Sequence, residues 1–147
     1  MLSKTCDYGL RAALYIATHE REHFVSIRRI SEKLQISFHF LTKILQILTE
    51  KGIMISFRGP NGGVKLARKA EEITLLDIIL AIDGPGLFTD CALGLEKCWE
   101  GHPCPLHQEW KQIRTDLKNI FQSKTLADLA FRIKSDTFRI SDLAVTT

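Results

Sequence analysis

Long apolar runs are missing from this 147-residue sequence. No stretch approaches the roughly 20 apolar residues of a membrane-spanning helix, which argues against an integral membrane protein. The N-terminus also lacks the charged, apolar and small-residue succession of a secretory signal, and it carries Asp7, Arg11 and Glu20 at helical spacing. We therefore expect a cytoplasmic protein that begins with a folded helix.

Internal repeats, low-complexity tracts and recognisable substrate or second-cofactor motifs are also missing. Their absence argues against an enzyme and against a repeat architecture. The apolar fraction of 45% is ordinary for a globular protein. The chain is long enough for one domain, or for a small domain with an added arm.

Acidic residues are scarce in one part of the chain and abundant in the next. Residues 21–69 hold three acids against ten Lys and Arg, whereas residues 70–100 hold seven acids against one Lys. A basic block beside an acidic one suggests that only the first faces a polyanion. The alternative is a solvated charged face, because charge patches alone are weak indicators of a partner.

The basic block has the pattern of a winged helix-turn-helix. Apolar spacing predicts helices over 8–19, 26–34 and 38–51, with Ser26 and Ser37 as N-caps of the second and third. Two short helices joined by a three-residue turn are typical of a helix-turn-helix. The strand-like runs IMISF and VKLA then flank RGPNGG, which predicts a hairpin wing.

Helical patterns return after the wing. A capping box from Thr74 to Asp77 opens one helix, a long helix begins near Pro105, and Thr125 can cap a further short helix. The predicted fold is mainly α with a small β-hairpin wing, a winged helix-turn-helix plus a long dimerisation helix. Its parts are a DNA-binding domain (1–83), a cysteine-rich loop (84–107), the dimerisation helix with the following helix (108–135), and a weakly patterned tail for which disorder is one expectation (136–147).

One face of the long helix has no evident partner within so small a chain. An apolar face of this kind predicts an interface between two copies of the chain. Its residues are Trp110, Ile113, Leu117, Ile120 and Phe121.

Double-stranded DNA is the polyanion that a winged helix-turn-helix binds. The start of the third helix would reach base edges in the major groove, and the wing would reach the backbone or the minor groove. Phe40 could contact a thymine methyl or pack against the first helix. The candidate DNA-binding residues are Arg28, Ser37, His39, Phe40, Thr42, Lys43, Arg58, Gly59, Gly62 and Gly63.

Cysteine is rare, yet three of the four cysteines lie together. Cys91, Cys98, Cys104 and His107 fall within seventeen positions, with gaps of six, five and two residues. These donors suit zinc or an iron–sulfur cluster, and the wide, irregular gaps favour the cluster. The alternative is free cysteines and a histidine at a helix start. Asp7 could cap the first helix or be a further ligand, and we expect its neighbour Cys6 to be buried.

The combination of wing and cysteine loop resembles the IscR/NsrR-type winged-helix regulators, which sense through an iron–sulfur cluster. The resemblance runs from about Met1 to about Phe121. Its marks are TCDYGLRAALYIA, ISEKLQISFHFLTKILQILTEKGIMISFRGPNGGVKLAR and three cysteines before a helix.

This resemblance implies a homodimer in which the long helix crosses to the partner subunit and three cysteines, Cys91, Cys98 and Cys104, bind the cluster. The fourth ligand would be His107, which favours a [2Fe–2S] cluster, or Asp7 of the other subunit, which favours [4Fe–4S]. The implied function is transcriptional regulation controlled by redox state, nitric oxide or iron and cluster status. The alternative is a zinc-stabilised or metal-free winged-helix DNA-binding protein.

Overall fold

Helices dominate the computed structural model, which describes residues 1–135 and 138–141. Its elements are α1 (Lys4–Thr18), α2 (Ile27–Leu34), α3 (Phe38–Glu50), β1 (Met54–Phe57), β2 (Gly63–Leu66), a 3-10 turn (Ala70–Glu72), α4 (Leu75–Ile82), α5 (Gly86–Thr89), α6 (His107–Ser123) and α7 (Leu126–Ser135). Helices with one two-stranded hairpin confirm the predicted fold class. Most of the predicted tail, at 136–137 and 142–147, lies outside the described residues.

The predicted helix caps are present. The hydroxyl groups of Ser26 and Ser37 each accept the backbone N–H three residues further on, both at 3.4 Å. At the start of α4, the Thr74 N–H donates to Asp77 Oδ2 at 2.9 Å and the Asp77 N–H donates to Thr74 Oγ1 at 3.1 Å. These bonds satisfy N–H groups that have no partner inside the helix. Gln35, with a left-handed φ of 54°, turns the chain from α2 into α3.

The hydrophobic core lies around α1. This helix packs against α3, α4 and α7, and its Ala12, Ala13 and Ile16 are fully or almost fully buried. Gly9 permits the close approach of α4, because a Cβ there would lie 2.3 Å from Ile82 Cδ1. Strand β2 and α2 also contact α1. The residues of α3 that fill the core are those predicted from spacing, Leu41, Ile44, Leu45 and Leu48.

The wing is attached to the helical core by a third backbone segment. Strands β1 and β2 pair antiparallel, and Val25 pairs with Val64 on the other edge of β2 through N–H···O bonds of 2.8 and 2.9 Å. Gly63 lies at this crossing, where a Cβ would come 2.2 Å from Val25 O. The position therefore requires glycine for strand packing.

The chain between α4 and α6 is not wholly irregular. The sequence predicts a loop from about residue 84, but residues 86–89 form α5, where the Phe88 N–H donates to Pro85 O at 2.9 Å. Residues 90–106 then run without helix or strand to α6. In the part of the chain described here, no helix is both long enough and apolar enough to cross a membrane.

Candidate metal centre and nucleic-acid interface

An open groove separates α3 from the wing. Its volume is about 690 Å³, and α2, α3 and the hairpin all contribute to its walls. Arg28, Thr42, Arg58 and Gly59 of the predicted DNA-binding set line it. Gly59 has a φ of 123° and sits at the turn of the hairpin, where the left-handed region favours glycine. The groove thus joins the start of the recognition helix to the wing.

Phe38 is a groove residue that sequence reasoning missed. Its side chain is 45% exposed, and the Arg28 guanidinium lies 5.1 Å from the centre of its ring. Phe38 shares a face of α3 with Thr42 and Gln46, since residues four apart lie above one another. This four-residue spacing is the feature of the sequence that could have identified Phe38 as a groove residue. Gln46 and Thr49 extend the same polar wall.

Ser37, His39 and Lys43 are exposed at α3 but lie outside the groove lining. Ser37 also caps the helix through the bond described above.

Phe40 is half-buried and packs partly against its own chain. Its ring meets Tyr8 of α1 edge to face, with 5.7 Å between the ring centres. This is the alternative that the sequence left open.

Two glycines of the wing serve the hairpin itself. Gly63 is buried at the Val25 crossing, and a Cβ at Gly62 would lie 2.2 Å from Phe57 O. Both line the base of the groove. Their small size therefore has a structural cause, and close approach to a phosphate is not needed to explain it.

The cysteine segment and the first turn of α6 form one cluster of side chains. Cys98 Sγ lies 3.5 Å from His107 Nδ1 and accepts a hydrogen bond from Arg114 at 3.2 Å. Cys91 and Cys104 interact with each other, and Cys104 also lies in the electrostatic field of Cys98. The predicted donors therefore lie in neighbouring pairs, Cys98 with His107 and Cys91 with Cys104, and all three cysteines are free.

The protein surroundings affect two of these thiols in opposite directions. The backbone N–H groups of Leu95 and Leu93 hold the pKa of Cys91 below its ordinary value. Burial, with the neighbouring Cys91 and Cys98 thiols, raises the pKa of Cys104. Donors aimed at one sulfur favour its thiolate, the form that binds metals.

Two buried nitrogen atoms at this cluster lack hydrogen-bond partners among the described residues. They are His107 Nε2 and Arg114 Nε, and these residues are 4% and 8% exposed. A buried polar atom without a hydrogen-bond partner lowers stability. The contacts within this cluster therefore leave two of its polar atoms unsatisfied. Three thiols and an imidazole match the donors of an iron–sulfur or zinc centre.

The cysteine and histidine donors are too widely spaced, as they stand, to bind one metal ion together. Within residues 1–135 and 138–141, no three His, Cys, Asp or Glu side chains stand close enough to hold one metal ion. The donors would therefore have to move inward to coordinate a metal.

Asp7 lies on a different element, α1. It is in the first turn of α1, where Ser3 is the N-cap and accepts the Cys6 N–H at 3.0 Å, so the capping role considered for Asp7 is wrong. No hydrogen bond joins Asp7 to the cysteine segment in the described part of the chain. Cys6 is fully buried as predicted, and burial, with the nearby Asp83 and Asp7, raises its pKa to about 12.

The outer face of α6 exposes apolar side chains. Ile113 and Ile120 are 49% and 53% exposed, and Leu106 continues the seven-residue spacing. Trp110 and Leu117, half-buried, fall between them at the alternate positions of a heptad. Phe121 instead turns toward its own chain and meets Phe88 edge to face at 6.3 Å. Four of the five predicted interface residues therefore form one seam.

Comparisons with known proteins agree with the winged-helix fold. Residues 2–132 match the Rrf2 family, described as an iron-dependent transcriptional regulator. The HTH-type transcriptional regulator IscR of Serratia proteamaculans is 34% identical over 122 residues, or 83% of this chain and 74% of that protein. Among solved structures, CymR, the global cysteine regulator of B. subtilis, has a TM-score of 0.76 at 28% identity and covers 89% of this chain and 96% of its own. IscR of T. potens has a TM-score of 0.73 at 26% identity, with coverages of 90% and 88%.

Proposed function

This chain belongs to the Rrf2 family of transcriptional regulators, and we propose that it is a homodimeric DNA-binding regulator controlled by an iron–sulfur cluster. The family relationship makes it a regulator of transcription. That it senses through a cluster and forms a dimer is our proposal. As a regulator of this kind, it would act in the cytoplasm, where bacterial DNA is accessible.

The observation that carries the proposal is the contact between Cys98 and the buried imidazole of His107, in the same segment as the interacting Cys91 and Cys104 thiols. We assign Cys91, Cys98 and Cys104 as cluster ligands and His107 as the fourth. His107 is almost fully buried, lies 3.5 Å from Cys98 Sγ, and keeps Nε2 without a partner among the described residues. Asp7 of the partner subunit remains the alternative fourth ligand. With His107 as the ligand, we prefer [2Fe–2S] to [4Fe–4S].

When bound, such a cluster supplies a group that changes charge on reduction and is altered by oxidants and nitric oxide. The chain's own residues connect the proposed cluster site to helix α6. His107 is the first residue of α6, and its backbone N–H donates to Cys104 O at 3.0 Å. Any movement of the ligands therefore displaces the start of the helix that carries the exposed seam.

The seam supports the homodimer. Leu106, Ile113 and Ile120 leave apolar surface exposed along one side of α6, and burying it against a second copy removes that surface from water. Two copies joined in this way would present two recognition helices. DNA half-sites about one helical turn apart require a fixed spacing between those helices.

The groove between α3 and the wing supports DNA binding. We assign Thr42, His39 and Lys43 to the major groove, Arg28 with Ser37 to the phosphate backbone, and Arg58 with Gly59 to the minor groove. Arg28 and Arg58 are exposed and border the same groove. Arg28 stacks on Phe38, which orients the guanidinium at the entrance of the recognition helix.

The test compares protein purified without oxygen with the same protein after cluster removal. We expect matching iron and sulfide, visible absorption, and DNA binding that differs between the two forms. His107→Ala should lose or alter the absorption, whereas His102→Ala should not, because His102 is exposed in the same segment and its ring lies tilted against that of Trp99. Equal DNA binding by both forms would refute control by a cluster. Loss of absorption in Asp7→Ala but not His107→Ala would reassign the fourth ligand.

A regulator without cluster sensing is the second candidate. The likeness to CymR favours it, because that protein is described by cysteine regulation and matches this fold with a TM-score of 0.76. The open spacing of the donors favours it too. This candidate predicts a colourless protein, either metal-free or containing zinc, after anaerobic reconstitution, with DNA binding independent of iron.

A further inference from the structure

Arg114 is a buried cation on α6. It is 8% exposed, although only one other residue of that helix, His107, is buried. One terminal nitrogen donates to Cys98 Sγ at 3.2 Å and the other to the main-chain oxygen of Asp90 at 3.4 Å. The ion pairs of residues 1–135 and 138–141 do not include it. Its Nε has no partner within the same residues.

A guanidinium removed from water needs a compensating negative charge. The ion pairs of the described residues do not supply one, and the shorter of the two hydrogen bonds of Arg114 goes to a cysteine sulfur. A centre of three cysteine thiolates and a neutral imidazole carries a net negative charge, whether it holds zinc or a [2Fe–2S] cluster. The burial of Arg114 is therefore understandable once the cysteines bind a metal.

We propose that Arg114 is a positioning residue of the metal centre, one that balances the charge of the metal-bound cysteines through Cys98 and ties residues 90–98 to α6. This proposal rests on the proposed function. Arg114 follows Ile113 of the exposed seam, so one residue links the state of the thiolates to the dimer helix. Its planar fork reaches two points, Cys98 and the Asp90 backbone, which a lysine could not do at once.

Three variants distinguish the effect of the Arg114 charge, the effect of its two hydrogen bonds, and the effect of removing any positive charge from α6. Arg114→Leu removes both charge and donors, and Arg114→Lys keeps the charge but not the fork. Lys118→Gln is the matched control, because it removes an exposed charge one turn further along α6. If Arg114→Leu does not fold, Arg114→Gln replaces it, since glutamine keeps a polar side chain without the charge.

Three readouts use all 147 residues of the chain. Amide exchange in the metal-free protein should be about tenfold faster at residues 90–98 in both Arg114→Leu and Arg114→Lys, because a bond from a charged donor is lost. Co²⁺ affinity, followed by its visible bands, should weaken about tenfold in Arg114→Leu and less in Arg114→Lys. In reconstituted protein, Arg114→Leu should also lower the reduction potential, because a nearby cation favours the more negative reduced cluster.

Arg114→Leu matching Lys118→Gln in exchange and in Co²⁺ affinity would overturn the proposal, as would an unsubstituted protein that binds no Co²⁺. A protein that binds Co²⁺ with the expected Arg114 effects but never assembles a cluster would support this proposal and refute cluster sensing. The experiments therefore distinguish failure of the Arg114 proposal from failure of cluster sensing.

Discussion

Arg28 and Arg29 are adjacent in sequence, but the structure gives them different roles. Arg28 is exposed at the groove and stacks on Phe38. Arg29 is bound within the chain, because its guanidinium donates to Glu22 at 2.9 Å and to the Tyr15 hydroxyl at 3.0 Å. We predict that Arg28→Gln weakens DNA binding at every sequence, whereas Arg29→Gln mainly weakens the fold.

The magnitude follows from counterion release. Each phosphate contact contributes about −0.9 to the slope of log affinity against log salt, and a dimer would lose two contacts in Arg28→Gln, so its slope should be shallower by about 1.8. Between about 50 and 200 mM salt, the loss of affinity should then be about tenfold smaller than for the unsubstituted protein. Arg29→Gln should keep the slope and lower the free energy of unfolding by about 1 kcal/mol.

Fluorescence anisotropy with a labelled duplex of random sequence measures the slopes, since phosphate contacts do not depend on sequence. Urea unfolding of the same proteins measures stability. An unchanged slope in Arg28→Gln together with a shallower slope in Arg29→Gln would refute the assignment. Equal loss of stability in both variants would show that Arg28 also supports the fold.

Three further predictions concern the wing, the seam and the buried thiol. Gly63→Ala should lower the free energy of unfolding by about 2 kcal/mol or more and weaken DNA binding, because its Cβ would meet Val25 O; urea unfolding with wild-type stability would contradict this. Ile113→Glu combined with Ile120→Glu should give monomers in sedimentation velocity, with an unchanged circular dichroism spectrum; a persistent dimer would exclude the seam. Stability should fall from pH 9, where the unfolded Cys6 thiol ionises, toward pH 12, where the folded thiol does. The slope is about 1.4 kcal/mol per pH unit, and Cys6→Ala should flatten it; equal slopes would contradict the burial effect.

Local features of the fold could be predicted because their causes are local. Ser26, Ser37 and the Thr74–Asp77 box each bond to N–H groups three residues away, so a short stretch of sequence contains the whole interaction. The hairpin follows in the same way from a Gly/Pro/Asn turn between two strand-like runs. The short helix α5 was missed, because one turn has too little periodicity to stand out.

Packing between elements distant in sequence determined the surroundings of residues whose role the sequence pattern left undecided. Phe38 and Phe40 lie two residues apart on α3, and either could face DNA. Tyr8, across the helix interface, contacts the half-buried Phe40, whereas Phe38 is exposed at the groove. Gly63 was predicted for phosphate contact, but Val25, remote in sequence, explains the lack of a Cβ.

The sequence by itself determined the donor set and the order of the elements, because residue chemistry and local periodicity are read directly from the chain. Cys91, Cys98, Cys104 and His107 have the required chemistry whatever the fold. Only the tertiary structure decided that His107 lies 3.5 Å from Cys98 Sγ, and that Arg114 lies buried against the same sulfur. Burial and charge pairing depend on which segments meet in space, and a charged residue on a mostly exposed helix carries no local sign of either.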